Sequence, residues 1–98
     1  MRFRIQIAPK AFFDAALEHA YIAVDSPESA DRWLAGLFDA INSLEEHPRR
    51  GRKATESRAI RRDIRQLLYK SHRILYTIKG RTVCVLFIQH AARRPRLR

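Results

Sequence analysis

The groups able to do chemistry in this 98-residue chain are sorted by position. Residues 1–48 hold four Lys and Arg against eight Asp and Glu, a net of −4, while residues 49–98 hold sixteen against two, a net of +14, within an overall charge of +10. That asymmetry points to a polyanionic partner or an acidic protein surface. The four histidines, His19, His47, His72 and His90, lack the spacing of metal ligands, so no metal is expected. There is no Gly-rich phosphate loop, zinc motif or nucleophile elbow, and no cofactor is expected. The single cysteine, Cys84, cannot close an internal disulfide and reads as a small core hydrophobe within the apolar run 83–88. Tyr69 and Tyr76 have rings able to stack on bases, with sheet packing as the simpler role. The stretch 49–58 (RRGRKATESR) has no apolar period and reads as an exposed basic loop. Such a loop would hold a nucleic-acid backbone with an affinity that falls steeply with salt.

These residues need a scaffold, and the periodicity supplies one. Residues 3–7 alternate apolar and polar, the period of a half-buried strand, expected over 3–8 and ended by Pro9. Phe13, Leu17, Tyr21 and Val24, flanked by Phe12, Ala16 and Ala20, then recur at helical spacing, predicting an amphipathic helix over 10–25. This stripe is expected to face the core, Tyr21 included, with Asp14, Glu18 and His19 elsewhere on the turn. Ser26-Pro27-Glu28 is an N-cap, a first-turn proline and an acid at the positive end of the dipole. It opens a second helix over 27–46 with Ala30, Trp33, Leu34, Leu37, Phe38, Ile41 and Leu44 inward. After the loop, expected over 48–59, strands are predicted over 62–70, 72–79 and 82–90. Ile74, Tyr76 and Ile78 share one face, Lys79-Gly80 makes a turn, and 83–88 is apolar enough to be central and covered on both faces. Residues 91–98 form a basic tail. The expected fold is one α+β domain over 1–98, with an N-terminal strand and a helical hairpin packed on a mostly antiparallel, four-stranded twisted sheet. No apolar stretch approaches the roughly 20 residues of a membrane span, and the N-terminus lacks a signal-peptide core, so no membrane association and a cytoplasmic location are expected.

The run 72–95, HRILYTIKGRTVCVLFIQHAARRP, resembles the C-terminal hairpin of the RelE/ParE toxin superfamily. The matching positions are His72-Arg73, Tyr76, Lys79-Gly80, the apolar strand 83–88, His90 and Arg93. Upstream, Pro9, Leu17, Tyr21, Ala30, Leu44, Pro48 and Gly51 sit as in the ParE branch, so the resemblance covers nearly the whole chain. It implies a bacterial toxin of the plasmid-stabilisation type, neutralised by a cognate antitoxin whose C-terminal segment orders on the toxin surface. It also leaves room for a homodimer or a heterotetramer with that antitoxin. A +14 half suits an acidic, partly disordered segment.

The resemblance implies two mechanisms. One branch cleaves messenger RNA in the ribosome, which needs a base for the 2′-hydroxyl, a cation for the phosphate and an acid for the leaving group. By position Arg73, His90 and Arg93 would carry that work, with His90 of suitable basicity for acid–base exchange. Ile64 and Gln66 stand where the best-known nucleases have lysines, Arg65 should point to the other face, and the C-terminal tyrosine has no counterpart. The ParE branch inhibits DNA gyrase without a known hydrolytic site, and the sequence favours it. Arg61, Arg62, Arg65, Lys70, Arg73, Arg93 and Arg94 would then be charges that dock the target or antitoxin. A third reading is a basic nucleic-acid-binding module without toxicity.

Overall fold

The computed structural model describes residues 2–92, the side chain of Ile60 excepted. In chain order the elements are β1 (Arg4–Ile7), α1 (Pro9–Asp25), α2 (Pro27–Asn42) with a closing 3-10 turn at Ser43–Glu45, β2 (Arg52–Lys53), α3 (Glu56–Ile60), β3 (Ile64–Tyr69), β4 (His72–Lys79) and β5 (Thr82–His90). The sheet runs β1-β5-β4-β3-β2, with β1 parallel to β5 and every other pair antiparallel. The α+β class and the helical hairpin on a mostly antiparallel sheet are as expected. The strand number is not: the sheet has five strands, because Arg52–Lys53 pairs with Arg65 and Gln66 at the margin. The stretch expected to be a bare exposed loop therefore holds an edge strand and a helical turn. Both are too short for a periodic signal to reveal.

Local chemistry accounts for the helix boundaries. Pro9 and Pro27 occupy first turns, where the missing N–H is not needed. The Ser26 hydroxyl accepts the Ser29 N–H at 3.1 Å, and Glu28 lies in the first turn of α2. Gly80, at φ +60, turns β4 into β5. On the helix-facing side of the sheet, Ile74, Tyr76, Val83, Val85 and Ile88 meet Trp33, Leu37 and Ile41 of α2 and Leu44 beyond it. The pairings Leu75 with Phe87 and Tyr76 with Val85 leave Leu86 as an extra residue in β5. This bulge keeps Val83, Val85 and Ile88 on the same buried side. β5 is central, between β1 and β4, but its second face is only partly covered. Leu86 and Phe87 pack on a small cluster of Ala54, Ile64 and Leu75, and Cys84 is partly exposed.

The orientation of α1 reverses the expectation. Phe12, Phe13, Leu17, Tyr21 and Val24 are between 52% and 83% exposed, whereas Ala11 and Ala15 are buried against the sheet. Small residues let α1 lie close to β5. The inward turn also carries Asp14, whose Oδ2 accepts the Ile88 N–H at 3.0 Å. β1 pairs with β5 only as far as Val85, so beyond that point the β5 edge has no strand neighbour and a carboxylate supplies the acceptor. The hydrophobic stripe of α1 is thus turned outward while Asp14, on the other side of the same helix, completes the sheet edge.

Candidate functional site

Arg73 lies in β4 on the sheet face opposite the hairpin and has no accessible surface. Its guanidinium forms a two-pronged pair with Glu56 of α3. Nη1 donates to Glu56 Oε1 at 3.2 Å and to Gln66 Oε1 at 2.7 Å, and Nη2 donates to Glu56 Oε2 and, at 2.6 Å, to Gln89 Oε1. Hydrogen bonding to Arg73 holds the Glu56 carboxyl below its usual value, against the opposing effect of burial. Arg73, expected as a docking charge or a phosphate-holding catalyst, is instead an interior group that fastens α3 to the sheet. Glu56 went unnoticed in the sequence. The available signal was its rarity, since it is one of two acids among residues 49–98.

His90 lies on the other face. His72 pairs with His90 across β4 and β5 while Arg73 pairs with Gln89, so Arg73 and His90 project to opposite sides of the sheet. The His90 ring meets the His72 ring at 5.1 Å, and its Nδ1 accepts the Ala92 N–H at 3.1 Å. His72 is buried, with its ring against Trp33 at 5.1 Å and its Nε2 3.4 Å from the Glu18 carboxylate. His90 also borders a groove lined by Asp14, Leu17, Glu18, Tyr21 and Ile88. Arg93 and Arg94 lie outside the described residues. The two described members of the expected nuclease set are therefore not brought together.

The remaining candidates differ in availability. Arg61, Arg62 and Lys70 are exposed, with Arg61 and Lys70 at positive φ (59° and 52°) in turns. Arg65 points to the helix side, as its alternation predicts, and its Nη1 donates to the carbonyls of Arg49 at 3.3 Å and Gly51 at 3.0 Å. Tyr76 is fully buried. Its hydroxyl donates to Pro48 O at 2.6 Å and accepts the Gly51 N–H at 3.1 Å, and burial pushes its phenol above 10.0. Tyr69 donates to Trp33 O at 2.9 Å and lies against Gly36, where any Cβ would overlap its hydroxyl. Both tyrosines are structural ties rather than stacking platforms. Among the described residues, no group of three or more His, Cys, Asp or Glu could hold a metal. No helix there is long and apolar enough to cross a membrane.

Among the described residues, the surface carries the outward apolar stripe of α1, with Phe12 against Phe38 of α2 at 6.3 Å, and the cationic margin around α3. The family model described as the ParE toxin of the type II toxin–antitoxin system parDE matches residues 5–95. Among solved structures, the chain is similar to one from the chromosomal ParDE toxin–antitoxin system of P. aeruginosa, at 17% identity and a TM-score of 0.74, covering 91% of this chain and 96% of that one. It is also similar to one from the RelBE2 toxin–antitoxin complex of Mycobacterium tuberculosis, at 21% identity and a TM-score of 0.64, covering 92% and 99%. At these identities the likeness is one of fold. The sequence has no significant match among curated proteins.

Proposed function

The chain belongs to the ParE toxin family of type II toxin–antitoxin systems, and from that premise we propose that it arrests growth by docking on DNA gyrase rather than by cutting RNA. The observation that carries this reading is the placement of Arg73 and His90 on opposite faces of the sheet, with Arg73 sealed against Glu56. A nuclease must present its phosphate-holding cation and its proton-transferring group to one reacting atom, within about 3 Å of each. A guanidinium without accessible surface does not reach a phosphate. Arg61, Arg62 and Lys70 are exposed and are the described cations we assign to docking; Arg93 and Arg94 belong to the same proposal.

The antitoxin is the second partner in this reading. The outward stripe of α1 is a contiguous apolar surface on a small protein, and such surfaces mark protein interaction sites. An amphipathic or extended antitoxin segment laid along Leu17 and Tyr21 would cover it, with acidic side chains reaching the cationic half.

The test is induction of the chain alone in a bacterial host, following growth, the DNA-damage response and transcript integrity together. Arrest with an induced damage response and intact transcripts is expected. Arrest with fragmented messages would replace this reading with ribosome-dependent cleavage, and unimpeded growth would favour a module without toxicity.

A further inference from the structure

At the β2 margin of the sheet a recess of about 770 Å³ opens between β2, α3 and the turn that follows. Lys53, Arg58, Arg61 and Arg62 stand around it, all exposed. Of the two carboxylates of this half of the chain, Asp63 also lines the recess and pairs with Lys53, which leaves the three arginines as its uncompensated cations. Glu56 is turned inward onto Arg73, and Asp63 lies 3.9 Å from Lys53. Among the described residues, no carboxylate lies within 4 Å of Arg58, Arg61 or Arg62. We propose that this recess is a binding site for the phosphodiester backbone of nucleic acid, read without regard to sequence.

Three features favour that ligand. The recess is built rather than draped. α3 is tied down by the Glu56–Arg73 pair, and the Ser57 hydroxyl both donates to Ile64 O and accepts the Ile64 N–H, each at 2.8 Å. The guanidiniums therefore stand on a fixed base, which lowers the ordering cost of binding. Arg61 occupies a left-handed conformation, φ 59° and ψ 39°, at the end of α3, where glycine is the unstrained choice. The chain bears that strain and thereby projects a cation at the mouth of the recess. Finally, among the described residues of the lining the only apolar side chain is Ala54, itself buried. A protein partner is anchored by buried aromatic and apolar side chains at the centre of its contact, whereas a phosphate backbone is held mainly by cations with polar donors beside them, as Thr55 and Ser57 stand here. The recess lies at the margin of the sheet opposite β1, away from the α1 stripe, so it does not compete for the surface assigned to the antitoxin. The recess shares Arg61 and Arg62 with the gyrase-docking reading, but binding of a bare duplex or RNA is measured without gyrase, so either reading can fail while the other holds.

The experiment measures anisotropy of a fluorescent 20-base-pair duplex DNA and a 20-nucleotide RNA with the full chain across a salt series, using poly-glutamate as competitor. Wild type, Arg58→Ala/Arg61→Gly and Arg32→Ala are compared. Arg32 is an exposed cation on α2 in the helix layer, and its removal subtracts charge without touching the recess. Binding should weaken linearly in log–log form with salt. The double variant should bind roughly tenfold more weakly, with a salt slope shallower by about two, while Arg32→Ala changes affinity by less than about twofold. Arg61→Gly alone should melt at or above the wild-type temperature, because glycine tolerates that φ, so lost binding is not lost folding. Comparable binding of DNA and RNA is the expected pattern for a backbone site. Equal losses from Arg32→Ala and the double variant would reduce the binding to general charge and overturn the proposal. Poly-glutamate displacing the duplex at matched charge concentration would overturn it in favour of an acidic peptide.

Discussion

Arg73 and Glu56 sit on β4 and α3, seventeen residues apart, and meet as a two-pronged ion pair in the protein interior. The pair binds the short α3 to a sheet that otherwise holds it through Ala54, Ile64 and Ser57. Replacing one partner leaves the other charge buried and uncompensated, which costs about 3–5 kcal/mol. Glu56→Gln should therefore lower the urea midpoint substantially without a matching loss when Arg62, exposed on the same margin, becomes Ala. A loss under about 1 kcal/mol for Glu56→Gln would show that the pair does not hold α3.

The same pair sets an acid limit. The Glu56 carboxyl titrates below its ordinary 4.5 because the folded state hydrogen-bonds its charged form to Arg73. The unfolded chain then takes up the proton first as pH falls. The contribution is complete above 4.5 and is lost as pH drops toward the lowered folded value. Stability measured between pH 6 and pH 3 should decline in wild type and decline less steeply in Glu56→Gln. Parallel curves would contradict the assignment.

Tyr76 and Gly51 form a second tie. A Cβ on Gly51 would overlap the Tyr76 hydroxyl and come within 2.7 Å of the Gln66 carbonyl. Gly51→Ala should cost about 1–3 kcal/mol by overpacking. Tyr76→Phe should cost about 1–3 kcal/mol by leaving Pro48 O and Gly51 N–H without their partner. Because both changes act at one contact, the double variant should lose less than the sum in a denaturant cycle, and strict additivity would show the two groups to be independent.

The exposed stripe of α1 separates stability from binding. Leu17→Glu and Tyr21→Ala alter side chains that face outward, so melting temperatures should stay within the range of about 0.5 kcal/mol expected of surface changes. Affinity for a cognate antitoxin should fall by about 2 kcal/mol or more if these are its anchors. Retained co-purification with both variants would move the antitoxin to another surface.

The sequence by itself determined the two long helices, the four longer strands and their order, though not β2 or α3. Periodicity and apolar runs located those strands, and Ser26-Pro27-Glu28 located the break between the helices, because capping and periodicity are local properties. It also determined the charge asymmetry and, through the pattern from His72 to Arg93, the family. Only the tertiary structure decided which face of α1 is buried. Apolar spacing favoured Phe13, Leu17 and Tyr21, but the open β5 edge needed an acceptor, and Asp14 supplies it from the other side of the helix. Only the tertiary structure, likewise, decided that Arg73 is an interior fastener and that its partner is Glu56. A guanidinium looks the same in sequence whether it faces solvent or a carboxylate brought beside it by a five-residue helix. That pairing depends on strand register and on the packing of α3, neither of which is encoded in the spacing of the residues around Arg73.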